Sequence, residues 1–143
     1  MSTRAIIGYK REDGKFVAGW QWNDGMDLGP ILRNNFKTME KVERLIENGV
    51  WNSLVPPRSK DMLHLFEEWT QRPCSSYHLV TVGKCHLLKE RPNDNAEFCF
   101  GDSEGVEIEN GKIVFDSIER AMGQDINYVY EFIEEENKWK THR

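Results

Sequence analysis

Two indoles and a run of polar groups stand together in Trp20-Gln-Trp-Asn-Asp-Gly25. In an extended segment, side chains alternate between faces, so Trp20 and Trp22 share one face and Gln21 takes the other. A flat aromatic surface stacks a nucleobase for about 1–3 kcal/mol per base. Asn23 and Asp24, with the adjoining backbone amides, offer hydrogen bonds to a base edge or a ribose hydroxyl. Cations near them in sequence supply the other half of a nucleotide site. Arg4 presents a guanidinium that grips phosphate in two-pronged fashion. Arg33 is a second cation, and Tyr9 offers a ring or a hydroxyl. Lys10, Arg11 and Lys15 surround a turn and read as solvated. The competing reading of each indole is core packing, the usual fate of tryptophans on the inner face of a hairpin.

Two other constellations carry less. Cys74, His78, Cys85 and His86 fall within thirteen residues. Zinc favours tightly spaced ligand pairs such as C-x₂-C, and Cys74-x₃-His78 with adjacent Cys85-His86 departs from that pattern. Neighbours on a strand also point to opposite faces. Ser2 would become an amino-terminal nucleophile if Met1 were removed, with its own amine as base. No Ser-His-Asp arrangement is legible. The sequence therefore predicts no metal, no cofactor and no catalytic residue.

With 143 residues the chain is expected to form one domain, residues 1–143, and 38% hydrophobic content implies a modest core. The net charge of −5 argues against binding long nucleic acid, which requires a basic face. Charge is unevenly spread. Residues 1–60 hold ten Lys/Arg against seven Asp/Glu, and residues 61–143 hold nine against seventeen. A small anion is better accommodated by the first part. No leader and no membrane span are expected, and three scattered cysteines fit reduced thiols in a cytoplasmic protein.

The elements that must position these groups follow from periodicity and punctuation. Residues 3–10 and 15–22 read as strands joined by an Asp-Gly turn. Helices are expected over 28–36, over 39–48 behind a Thr38 cap, and over 60–71 behind Ser59. Strands follow over 77–82 and 84–88, then 96–100 and 106–108. Asn110-Gly111 signals a hairpin into 112–115. Asp116 with Glu119 resembles a capping box. Residues 127–133 form a strand in which Tyr128, Tyr130 and Phe132 share a core face, and a last strand surrounds Trp139. The class is α+β: an antiparallel sheet built from N- and C-terminal hairpins, with three or four helices packed on it.

The opening Met-Ser-Thr-Arg-x-Ile, the Asp-Gly hairpin and Trp22-Asn-Asp-Gly25 before Leu28-Gly29 resemble a widespread family of small phage proteins. In that family the motif often reads His-Trp-Asp-Gly. A helix similar to Glu40-Lys-Val-Glu-Arg-Leu-Ile-Glu-Asn-Gly49 follows, then a pair like Ser53-Leu54, and the family's end is similar to Tyr128-Val-Tyr130 and Lys138-Trp139. Here Gln21 stands for the His, and Asn23 is inserted. The resemblance extends to anti-CBASS sponges, which hold cyclic nucleotide messengers of bacterial antiviral defence.

That resemblance implies a phage immune-evasion protein in the host cytoplasm, not an enzyme, that sequesters cyclic GMP-AMP or a related cyclic dinucleotide. Two stacked bases and two phosphates give roughly 5–12 kcal/mol gross, whereas nanomolar binding takes about 12. Ordering costs widen the gap. A homo-oligomer, dimer or tetramer, that buries the ligand between subunits is therefore expected. The alternatives are an inhibitor of a host protein acting through acidic residues 102–109 and 131–136, or a small hydrolase or phosphodiesterase.

Overall fold

The first hairpin sets the frame. In this computed structural model, which describes residues 3–57, 60–73 and 75–143 (only the backbone at Met62), β1 (Ala5–Lys10) and β2 (Phe16–Gln21) pair antiparallel, with Ile6 opposite Trp20. The Ser59 cap, Ser2 and Cys74 lie outside the described residues. The turn closes through Arg11 N–H to the Lys15 carbonyl at 2.8 Å. Its tip is tied to a second hairpin, β7 (Val106–Glu109) and β8 (Lys112–Phe115), by Arg11 to Glu109 at 2.7 Å and Lys15 to Glu107 at 3.5 Å. Arg11 also holds Asp13 at 2.8 Å, which lowers that carboxyl to about 2.

The main sheet is mixed rather than antiparallel. Its order is β10 (Lys138–His142), β9 (Tyr128–Ile133), β1, β2, β8, β7, with the short β3 (Val50–Trp51) on β2. β9 runs parallel to β1, while β10 returns antiparallel on its outer edge. The parallel pairing is anchored where β1 and β9 begin. Asn127 and Tyr128 N–H donate to the Arg4 carbonyl at 3.0 and 3.3 Å, and Arg4 N–H donates to Asn127 Oδ1 at 3.0 Å. That zipper starts both strands from the same end. A second sheet of three strands, β4 (Ser53–Val55), β6 (Cys85–Glu90) and β5 (Tyr77–Val82), completes an α+β fold.

Both faces of the main sheet are covered. On one, Ala5, Ile7, Tyr130 and Phe132 meet Leu28, Leu32 and Phe36 of α1 (Leu28–Asn35) and its exit, together with Val42 and Leu45 of α2 (Met39–Ile46). Leucine or phenylalanine every fourth residue makes that stripe. Pro30 sits in the first turn, where its missing N–H costs no helical bond. Thr38 Oγ1 caps α2 by accepting from Lys41 N–H at 3.4 Å. On the other face, Ile6, Phe16, Ala18 and Trp20 meet Ala96 and Phe100 of α4 (Ala96–Phe100), and Ile118 and Ala121 of α5 (Ile118–Met122). The remaining helix, α3 (Lys60–Gln71), packs Phe66 against Leu88 and Val55 of the smaller sheet.

Two expectations are corrected. Residues 96–100 are helical, not extended. Asn95 Oδ1 accepts from Glu97 and Phe98 N–H at 2.9 and 3.2 Å, and Ala96 and Phe100 are buried one turn apart while Phe98 stays exposed. The cap of α5 is Ser117, which accepts from Arg120 N–H at 3.1 Å, not Asp116. Five α-helices are present among the described residues, against the three or four expected.

Gly49 ends the α2 turn at φ +71°, and a Cβ there would collide with the Gly111 carbonyl and press on Ala96. Gly49→Ala is expected to cost about 1–3 kcal/mol from the left-handed backbone alone. The midpoint of urea unfolding measures it.

Candidate functional site

The hairpin brings together three of the groups expected to bind a ligand. Trp20 and Trp22 do share a face, their rings 5.3 Å apart edge to face. Trp20 is 4% exposed and packs on Phe100 at 5.1 Å; its indole N–H finds no acceptor among the described residues. Trp22 is half-buried. The Arg4 guanidinium lies 5.6 Å from the centre of its ring. Arg4 also binds the Asp125 carboxylate at 2.7 Å, so its charge is already opposed. Within this structure Arg4 and Trp22 act as a clasp between the start of β1 and the approach to β9.

The remaining groups go elsewhere. Asn23 is held through its backbone, donating to the Asn52 carbonyl at 2.9 Å. Asp24 adopts φ +61° and accepts from Ser53 Oγ at 3.3 Å. Gln21 is fully buried on the opposite face and accepts from the Trp51 indole N–H at 2.7 Å. Tyr9 crosses to α2, where its hydroxyl donates to Glu43 at 3.3 Å. It borders a cleft of about 640 Å³ with Glu43, Glu131, Glu134 and Glu135, against Lys10, Arg11 and Lys140. Glu131 there is engaged by His142 at 3.0 Å. That excess of carboxylates repels an anion.

Arg33, in the last turn of α1, lines a different cleft, open and of about 640 Å³, with Lys37, Asn137, Lys138 and Trp139. Trp139 is fixed by its N–H, which donates to the Phe36 carbonyl at 2.9 Å, and by its ring against Phe132 at 5.2 Å. Arg33, Lys37 and Lys138 are exposed, and none pairs with a carboxylate among the described residues. Here a half-buried indole and three cations with no ion-pair partner among the described residues line one cleft, the Arg33 guanidinium packing over Gly29 one turn back along α1. An anion meets favourable charge without first displacing a partner, and a planar group meets a ring. No protein-family model, curated protein or solved structure matches the chain. Lys37, Lys138 and Trp139 do not stand out as binders in the sequence; the only signal there is the flanking of Trp139 by Lys138 and Lys140.

The thiols and imidazoles form no such group. Cys85 is buried, and burial pushes its thiol up to about 11; burial raises Cys99 as well. Both are poor nucleophiles at neutral pH. Cys85 pairs with Val82, and His86 with Thr81, on opposite faces of the small sheet. Burial lowers His78, and nearby Arg91 and Lys89 add to the effect. Among the described residues no group of three His, Cys, Asp or Glu is placed to hold a metal ion, and no helix is long and apolar enough to cross a membrane.

Three phenols titrate late, Tyr77 through burial with the Glu90 and Asp94 charges adding to it, and two others with larger shifts. Burial pushes Tyr9 up to about 12, with the Glu43 charge adding to it, and burial does the same to Tyr130, whose hydroxyl donates to the Gly25 carbonyl. Unfolded phenols ionise near 10. The fold thus favours the neutral form, and its advantage is complete below pH 10 and lost as pH rises towards 12. Phenolate absorbance at 295 nm should show two tyrosines ionising together with loss of the far-UV circular dichroism signal across that window.

Proposed function

We propose that the protein binds a small anionic nucleotide, of the cyclic dinucleotide class, and holds it intact. This is the anti-CBASS sponge role that the family resemblance implies. The observation that carries the reading is the Trp139 cleft, where one ring and the unopposed charges of Arg33, Lys37 and Lys138 face a volume of about 640 Å³. Stacking supplies about 1–3 kcal/mol and each charge-assisted phosphate contact about 1.5–3 kcal/mol. One open cleft then binds in the micromolar range at best, after ordering costs. A second copy that closes over the ligand would exclude water and tighten every contact, which supports a homo-oligomer. Guanidinium, ammonium, amide and indole groups bind and orient at neutral pH but do not serve as bases, which supports retention without cleavage.

The experiment is release. Protein incubated with cyclic GMP-AMP should deplete free ligand, and heat denaturation should return it unchanged. Recovery of a linear or hydrolysed product would overturn the reading in favour of a phosphodiesterase. A second reading, contact inhibition of a basic host protein, draws on the exposed turn Glu134–Glu136. It would gain if host lysate yielded one stoichiometric partner and no cyclic nucleotide were bound.

A further inference from the structure

A second cationic hollow lies across the connection between α1 and α2. Asn34, Asn35 and Phe36 form one wall, Lys41 and Arg44 of α2 another, and the turn between β5 and β6, with Gly83 and Lys84, the third. It encloses about 300 Å³ and opens beside a hollow of about 560 Å³ that shares Asn34, Asn35 and Lys84. Its floor is buried Phe36 and Val82. No carboxylate lines it. Glu40, which is not part of the lining, holds Arg44 at 2.8 Å, so that cation is partly opposed and Lys41 and Lys84 supply the free charge. Lys41 and Lys84 have no ion-pair partner among the described residues. The end of α1 and the start of α2 meet here with opposing dipoles, so side-chain charge sets the sign of the local field.

Phe36 lines this hollow and Lys37 lines the Trp139 cleft. Adjacent Cα atoms are about 3.8 Å apart. The two basins thus adjoin at the Phe36–Lys37 peptide, and Trp139 is pinned to that peptide through the Phe36 carbonyl.

We infer that Lys41, Arg44 and Lys84 form a second phosphoryl subsite, so that this surface selects ligands with two separated phosphoryl groups over mononucleotides. The inference rests on the nucleotide reading for its ligand class, but the subsite can be probed without a base. Three exposed cations around a hollow with no lining carboxylate hold a phosphoryl group by charge-assisted contacts. A mononucleotide stacked on Trp139 would reach only the first basin.

Calorimetry with cyclic GMP-AMP and GMP, alongside amide NMR with pyrophosphate, tests it. The wild-type protein should bind cyclic GMP-AMP at least tenfold tighter than GMP. The double variant Lys41→Ala, Lys84→Ala changes only exposed side chains; it should lose about tenfold for the cyclic dinucleotide and keep GMP affinity within twofold. Pyrophosphate should shift the Asn34, Gly83 and Lys84 amides in the wild-type protein, and a Lys41→Ala variant should weaken that response. Equal losses for both nucleotides, or none for either, would overturn the subsite while leaving the Trp139 reading in place. If pyrophosphate moved those amides and no nucleotide bound, the subsite would stand and the nucleotide reading would fall. Silence from all three probes would remove both.

Discussion

Trp51→Ala should destabilise the protein by about 3–5 kcal/mol, the largest stability loss expected of any single truncation discussed. Trp51 is fully buried although it belongs to a strand of two residues. Its ring occupies the space over Gly19: a Cβ on Gly19 would come within 2.5 Å of Trp51 Cη2 and Cζ3. Its N–H satisfies the amide oxygen of Gln21, and the Gln21 amide nitrogen in turn donates to the Asn23 carbonyl. Ring, glycine and glutamine form one unit that joins β2, β3 and the turn into α1. Removing the ring opens a cavity and leaves a buried amide without its donor, and the two costs add. Trp51→Phe separates them. It fills most of the volume but leaves the Gln21 oxygen unpaired, for about 1–3 kcal/mol. Guanidinium unfolding of the three proteins would measure both. Similar stabilities for Trp51→Phe and the wild type would show that the hydrogen bond contributes nothing. Gly19→Ala should behave like an overpacked core, at about 1–3 kcal/mol.

That unit marks the limit of what is legible in the sequence. The first hairpin, α1, α2, α3 and the Asn110-Gly111 hairpin are written locally, in alternation, caps and turn residues, and they stand where periodicity places them. The parallel pairing of β1 with β9 is not local. It depends on Arg4 meeting Asn127, 123 residues away. The helix at Ala96–Phe100 was ambiguous because five residues with apolar groups at both ends fit period two and one helical turn equally well; the Asn95 cap decides between them. The site follows the same logic. Trp20 and Trp22 share a face as alternation requires, but alternation does not reveal that Asp125 opposes Arg4. Nor does it reveal that Arg33 of α1 and Trp139 of β10 line one cleft, since sequence separation hides that pair entirely.

The largest functional effect should follow from reversing charge in the Trp139 cleft. A double variant, Arg33→Glu with Lys138→Glu, is expected to weaken cyclic GMP-AMP binding at least 100-fold. Each cation accounts for about 1.5–3 kcal/mol of phosphate contact, about tenfold or more, and each reversal adds repulsion. Both side chains are exposed, so the fold should be unaffected, and an unchanged melting temperature would verify that. Trp139→Ala is the less clean companion, because its ring also packs on Phe132 and its N–H holds the Phe36 carbonyl. It should cost about 1–3 kcal/mol of stacking together with some stability. Arg4→Ala is the contrasting variant. Its guanidinium is already committed to Asp125 and the Trp22 ring, so ligand affinity should stay within twofold while thermal stability falls slightly. The opposite pattern, in which Arg4→Ala abolishes binding and the charge reversals do not, would move the nucleotide site to the hairpin and take the Trp139 cleft out of the mechanism. Salt provides an independent measure. Binding that depends on unopposed exposed cations should weaken steeply between low salt and 0.5 M, and that dependence should flatten in the charge-reversed protein.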